Sequence, residues 1–188
     1  MNRTRHRGAA LLLAIACWIA AAQSPAQQEA GKESKFKAAY LYNFLQFIEW
    51  PESSFTTRSS PVTIGILNQE PLANILEQIV QGERVHGREI VVRKFRDTKS
   101  IRQCQVLFVP RSERNEIPSI LVSTEGSSVL TVGEVDGFAE EGGAINFFVQ
   151  ENKLKFEINQ DALKNANLRA SSRLLRLARL VGSAGDGK

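Results

Sequence analysis

The stretch VTIGILNQEPLANILEQIV, residues 62–80, changes its apolar period in mid-course. Its first six residues are a short β-branched run, the pattern of a strand buried on both faces. From Pro71 onward, Leu72, Ile75, Leu76 and Ile79 recur at spacings of three and four, which predicts a helix with one apolar face. A strand running directly into an amphipathic helix is half of a βαβ unit, and such units build parallel sheets.

Downstream the alternation continues. GERVHGREIVVRKF (82–95) reads as a turn into a strand near residues 89–95, and CQVLFV (104–109) as a buried strand. SERNEIPSILVST (112–124) is expected to be helical in part, with Pro118 tolerated only in a first turn or at a break. SSVLTVG (127–133) gives a further strand. DGFAEEGG (136–143) then reads as a short helix or loop, and AINFFV, the turn QEN and KLKFEIN (153–159) as an antiparallel hairpin. In the last run Leu154, Phe156 and Ile158 are expected to face inward and Lys153, Lys155 and Glu157 to face water, as on an edge strand guarded by charge. DALKNAN (161–167) is a short helix. Ser171 or Ser172 should cap a closing helix, SRLLRLARLV, that Gly182 ends. The expected fold is a single α/β domain over 35–181, a mixed, mostly parallel sheet flanked by helices with a C-terminal antiparallel hairpin.

Upstream, MNRTRHRGAALLLAIACWIAAAQSPA (1–26) has the make-up of a secretory signal peptide: Arg3, Arg5 and Arg7, an apolar core, and small residues for a peptidase. A lipoprotein reading of Cys17 is disfavoured, because Trp18, Ile19 and Ala20 continue the apolar run where a polar tether belongs. The signal carries three arginines and no acid of the chain's 24 basic and 20 acidic residues, so about 162 nearly neutral residues remain. Nucleic-acid binding thereby loses its electrostatic support. Residues 27–34 read as a flexible lead-in and 182–188 as a flexible tail.

Little in this chain assembles chemistry. Past the signal there is one histidine, His86, in a glycine-flanked turn, and one cysteine, Cys104, in an apolar run. One of each builds no metal site, and an odd thiol closes no internal disulfide; burial of Cys104 is the main reading and an intermolecular bridge the minor one. No nucleophile elbow or phosphate-binding glycine motif follows a predicted strand, so a hydrolase built on His86 is the weakest hypothesis and no cofactor is expected.

Two features stand out from ordinary packing. KFKAAYLYNFLQFIEW (35–50) gathers Phe36, Ala39, Tyr40, Asn43, Phe44, Phe47 and Trp50 on one helical face, leaving Leu41 and Leu45 outside it, and Pro51 ends it. Asn43 on that face is expected either to tie the helix into the core or to shape a pocket. The second is the row Arg169, Arg173, Arg176 and Arg179, placed by its spacing on one side of the closing helix. It reads equally as a solvated face and as a carboxylate-gripping interface, with an anionic membrane less favoured.

KAAYLYNFLQFIEWP, CQVLFV, VLTVG with GFAEEGGAINFF, and KLKFEINQDALKNANLRASSRLLRLARLV together resemble, in order, the YfiR-like family of periplasmic proteins. The resemblance implies an α/β, dimerising, non-enzymatic regulator. Its expected partners are the periplasmic domain of an inner-membrane diguanylate cyclase, which it restrains, and an outer-membrane lipoprotein, which sequesters it; the output is cyclic di-GMP and biofilm behaviour. The N-terminal motif falls on Tyr40, Asn43, Phe44, Ile48, Trp50 and Pro51, which read as structural. The C-terminal motif falls on Phe156, Glu157, Asn159, Ala162, Leu168, Ser171, Ser172 and Leu175. The partner-binding set expected from it and the arginine row is Glu157, Asn159, Leu168, Arg169, Ser171, Ser172, Arg173, Leu175 and Arg176. One departure is that the best-known relative depends on intramolecular disulfides, which Cys104 alone does not supply. The alternative function is a periplasmic small-ligand sensor with a pocket lined by the aromatic helix.

Overall fold

A computed structural model describes residues 25–68 and 71–182. The expected signal segment, apart from Pro25 and Ala26, and the tail beyond Gly182 lie outside the described residues. In chain order the elements are α1 (Pro25–Phe47), β1 (Ile48–Glu49), β2 (Val62–Leu67), α2 (Pro71–Val80), β3 (Arg84–Val85), β4 (Arg88–Phe95), β5 (Val106–Val109), α3 (Ile117–Thr124), β6 (Leu130–Gly133), β7 (Ile145–Gln150), β8 (Lys153–Asn159), α4 (Gln160–Asn165), β9 (Arg169–Ala170), α5 (Ser172–Leu175) and β10 (Arg179–Val181). Short 3-10 turns fall at Glu52–Ser54, Ile101–Gln103 and Arg111–Glu116.

The main sheet has eight strands in the order β10-β8-β7-β6-β5-β2-β4-β3. Strands β4, β2, β5, β6 and β7 run parallel to one another, while β3, β8 and β10 run the other way. This is the mixed, mostly parallel α/β sheet that the alternating pattern predicts. All six residues of β2 are buried, because its neighbours cover both edges and helices or loops cover both faces. Two tight turns set the hairpins: His86-Gly87 between β3 and β4, and Glu151-Asn152 between β7 and β8, each with positive φ at both positions.

The sheet divides the core in two. On one face α1 and α2 pack against Val62, Ile64, Ile66, Val106, Phe108, Ile145, Phe147, Phe156 and Ile158, and α4 and α5 add Leu163 and Leu174. On the other, α3 contributes Ile117 and Ile120 to a smaller cluster with Phe95, Cys104, Leu107 and Phe138. Glycine makes two of these contacts possible. A Cβ on Gly65 would lie 2.4 Å from the Phe95 ring, and one on Gly133 2.4 Å from the Phe138 ring.

Helix α1 departs from its sequence reading in three respects. It begins at Pro25, so residues 27–34 belong to the helix rather than to a lead-in. Its buried stripe is Ala38, Leu41, Phe44 and Leu45, continued by Ile48 at the start of β1. Leu41 and Leu45, expected outside, are fully buried, while Phe36 is 51% exposed and Asn43 lies at the surface. The cause is that α1 beds in the angle between α2 and the sheet, so the apolar residues at spacings of three, four and seven decide its orientation and the aromatics go to the flanks. Asn43 therefore neither ties the core nor lines a buried pocket.

The C-terminal segment departs further. SRLLRLARLV is not one helix: α5 stops at Leu175, and Arg179–Val181 returns as a strand parallel to β8, in register Arg179↔Glu157, Leu180↔Ile158 and Val181↔Asn159. Strand β8 is thus interior over its last three residues, and Glu157, expected to face water, is 1% exposed.

These assignments predict opposite outcomes for adjacent residues on α1. Phe44→Ala should cost about 3–5 kcal/mol by emptying a fully buried site, whereas Asn43→Ala should stay within about 0.5 kcal/mol. Urea unfolding of both variants checks this.

Candidate interaction surface

The two motifs that lie at opposite ends of the domain meet at one place. Helix α1 ends at Phe47 because the chain turns extended as β1, which pairs antiparallel with β9, Ile48 opposite Ala170 and Glu49 opposite Arg169. The Ser171 backbone N–H donates to the Phe47 carbonyl at 2.8 Å, closing the same ladder. Ser171 then caps α5, its Oγ accepting from the Leu174 N–H at 3.3 Å. Upstream, Asn159 Oδ1 accepts from the Ala162 N–H at 2.9 Å to start α4, and Asn167, with φ of 55°, turns the chain out of it. Leu168 is driven into the core and Arg169 is left at the surface.

This geometry sorts the expected partner-binding residues. Arg169, Ser172, Arg173 and Arg176 are exposed, and Ser171 and Leu175 are half-buried beside them. Glu157, Asn159 and Leu168, expected in the same set, are buried and serve the scaffold. Asn159 Nδ2 donates to the Ala139 carbonyl at 2.7 Å in addition to capping α4. Glu157 Oε2 accepts from Arg179 Nε at 2.9 Å, and its Oε1 from Asn146 Nδ2 at 3.0 Å. The Arg179 guanidinium lies 4.1 Å from the Phe148 ring centroid. The four arginines do not share a helix face: Arg169 is on β9, Arg173 on α5, Arg176 at its C-terminal end, and Arg179 on β10.

Of the N-terminal motif, Phe44 is fully buried and Tyr40 half-buried; both rings pack on Phe147 and Phe156 with centroids 5.3–5.9 Å apart. Trp50 and Pro51 are half-buried at the chain turn. Trp50 separates two open grooves. One, of about 760 Å³, is lined by Trp50, Pro51, Leu163, Leu168, Arg169 and Leu175. The other, of about 850 Å³, is lined by Trp50, Phe55, Arg58, His86 and Arg88 among others.

Two residues that sequence reasoning passed over organise this end of the sheet. Gln105 is buried: its Oε1 accepts from the Thr63 N–H at 2.8 Å, its Nε2 donates to the Ser54 carbonyl at 3.0 Å, and its own carbonyl accepts from Trp50 Nε1 at 3.2 Å. An amide inside the apolar run CQVLFV was the available signal. Arg88 Nη1 donates to the carbonyls of Thr57, Arg58 and Ser60, each at 2.9 Å, and its guanidinium covers the Phe55 ring at 3.8 Å. It pins the loop between β1 and β2, and nothing local in the sequence announces it.

Among the described residues no group of three or more His, Cys, Asp or Glu could hold a metal ion, and none of the helices is long and apolar enough to cross a membrane. His86 lies exposed in the β3–β4 turn. Cys104 is 2% exposed; burial pushes its thiol up to about 12, and its S–H donates to the Ile101 carbonyl at 2.9 Å. Such a thiol is not a nucleophile at neutral pH.

A mixed, mostly parallel eight-stranded sheet with helices packed on it places this chain among the α/β domains. The chain is a member of the YfiR/HmsC-like family, DUF4154, which it matches over residues 34–179. No curated protein sequence matches it. Among solved structures it is similar to a conserved domain protein from Vibrio cholerae O1 biovar El Tor strain N16961, with a TM-score of 0.53 at 11% identity, over 78% of this chain and 59% of that one. It is also similar to an ABC domain in complex with L-Trp from Streptococcus pneumonia, with a TM-score of 0.48 at 13% identity, over 64% of this chain and 55% of that one. The chain thus spans less than two thirds of the length of either structure, and the first likeness is one of fold alone.

Two predictions follow from the buried groups. Cys104 should resist alkylation at pH 8 until the protein unfolds. Because its folded pKa lies above the ordinary 9.0, the unfolded chain releases this proton first, so the contribution is intact below pH 9 and lost as pH rises toward 12. Chemical denaturation of wild type and Cys104→Ala across that window tests the sign: the wild type should lose more stability. Separately, Arg179→Ala strands the Glu157 carboxylate and should cost about 1–3 kcal/mol. Adding Glu157→Gln should return part of that loss in a double-mutant cycle.

Proposed function

We propose that this protein is a periplasmic regulator that acts by binding, restraining an inner-membrane diguanylate cyclase through the enzyme's periplasmic domain, with an outer-membrane lipoprotein as the counterpart that sequesters it. Membership of the YfiR/HmsC-like family supports the regulatory class. The observation that carries the site is the β1–β9 pairing, which draws Trp50-Pro51 and Arg169–Leu175, about 120 residues apart in sequence, onto one face. That face is rigid, because both strands issue from core-anchored elements, and it carries Arg169, Arg173 and Arg176 beside the acid Glu49, with no acid between Leu168 and Gly182. Rigid, basic and partly apolar surfaces suit association with a protein that offers carboxylates, since guanidinium groups bind them through paired hydrogen bonds. Catalysis is not part of this reading: the buried Gln105, Glu157 and Asn159 side chains are engaged in holding elements together.

The half-buried Trp50 between two grooves supports the second reading, a small-ligand sensor, in which a ligand seated in either groove would change the tryptophan's surroundings. A shift of its emission on adding amino acids, nucleotides or vitamins would favour the sensor, and none would favour protein binding alone.

Loss of restraint gives the direct test. Deleting the gene should raise cellular cyclic di-GMP several-fold, and wild-type protein should restore the level. The double variant Arg169→Glu/Arg173→Glu should be exported and folded yet fail to restore it, while Arg96→Glu, exposed elsewhere on the domain, should succeed. Unchanged cyclic di-GMP in the deletion strain across several growth conditions would refute the proposal.

A further inference from the structure

The end of the main sheet at β10 is an unusual place for an open edge. Strand β10 is the terminal strand in the sheet order, and among the described residues its outer side has no pairing strand. It covers β8 only over Glu157–Asn159, so the outer edge of Lys153–Phe156 is also without a strand beside it. Exposed edges are commonly protected by covering them or by a bulge or proline. Here Leu180 on β10 is 49% exposed, and Leu177, in the turn that leads into it, is 69% exposed. Its shortness and its charge guard it: Lys153, Arg173, Arg176 and Arg179 supply positive groups, no acid falls between Leu168 and Gly182 in sequence, and of the nearby acids Glu157 is paired with Arg179 while the Asp161 carboxylate lies beside Gly182.

What is fixed and what is free can be separated. Arg179 is held by the buried Glu157 carboxylate and the Phe148 ring, which keeps β10 in register as a template. Arg173 lies 5.6 Å from the Phe47 ring centroid. Arg176 follows α5 at the surface and enters no ion pair among the described residues. We infer that β10 is a docking edge for an extended acidic segment of another protein, added as a further strand of the sheet, its backbone paired with Arg179–Val181, its apolar side chains on Leu177 and Leu180, and its carboxylates on Arg176 and Arg173. A second copy of this chain is the poorer occupant, because pairing β10 with itself about a two-fold axis would bring the same arginines together, and like charges across a strand pair destabilise it. Strand addition also explains how three residues suffice, since main-chain hydrogen bonds supply affinity and alternate side chains the selectivity.

This inference rests on the reading of the protein as a binding module and specifies the chemistry of its partner. The test titrates the purified protein with a short capped peptide alternating glutamate and valine. Three probes run in parallel: the same peptide N-methylated at alternate amides, a lysine–valine version, and phosphatidylglycerol vesicles. Calorimetry reads binding and amide hydrogen exchange reads the location. The acidic peptide should bind and slow exchange at Arg179–Val181; N-methylation should weaken it about ten-fold through lost strand hydrogen bonds, and Arg176→Glu about ten-fold through charge reversal with an unchanged melting temperature.

Equal binding of the methylated or the lysine peptide would overturn the inference. So would vesicle binding that depends on Arg176 without any peptide protection of β10, or a homodimer whose dissociation alone releases the β10 amides. The two proposals fail separately. Unchanged cyclic di-GMP in the deletion strain, with peptide protection intact, removes the cyclase reading and leaves the edge; raised cyclic di-GMP with no protection at β10 removes the edge alone.

Discussion

Everything at the functional end of this protein depends on how α1 is seated. Tyr40 and Phe44 lie against Phe147 and Phe156, so one helix is fixed to the two strands where the sheet changes from parallel to antiparallel. Aromatic contacts of this kind add orientation to simple burial, because offset and edge-on arrangements are preferred over others. With α1 fixed there and wedged against α2, its last turn has one exit. Phe47 through Glu49 emerge beside Arg169–Ser171, and backbone pairing completes the junction.

That junction converts two weak local patterns into one surface. Neither Trp50-Pro51 nor Arg169–Leu175 has much meaning in isolation: the first is a chain turn held by Gln105, the second an extended pair leading into a capped single turn of helix. Together they form a rigid rim around a groove that Arg169 lines, with Arg173 and Arg176 exposed outside it and Leu168 and Leu174 anchored below. Buried polar residues of the C-terminal motif serve the same end at one remove. Asn159 ties β8 to α4, and Glu157 ties β8 to β10, each with hydrogen bonds whose loss would leave a polar group dry.

A buried carboxylate is a poor source of net stability but a good source of registry, since the wrong alignment of β10 would leave Glu157 without its guanidinium. This gives a physical reason for an acid in the middle of a strand whose period puts it on a nominally solvent-facing side. It also accounts for a three-residue edge strand keeping its place although its central Leu180 is exposed.

Much of the architecture was legible in the chain itself. The switch of apolar period at 62–80, the continuous apolar runs at 104–109 and 129–133, and the alternation at 153–159 specify a largely parallel sheet with an antiparallel turn-back, because burial on one or both faces writes itself into residue order. Cys104 in its apolar run, Pro118 in a first helical turn and Ser171 at a helix start were equally local and equally readable. Tertiary structure alone decided which face of α1 turns inward, since aromatics and aliphatics compete for the same groove and only the shape between α2 and the sheet selects Leu41 and Leu45 over Asn43 and Phe36. It alone decided that SRLLRLARLV breaks after one turn. Helical spacing is satisfied there, but a vacant edge of β8 and a buried Glu157 awaiting a cation favour a returning strand, and no local window of sequence contains either of those.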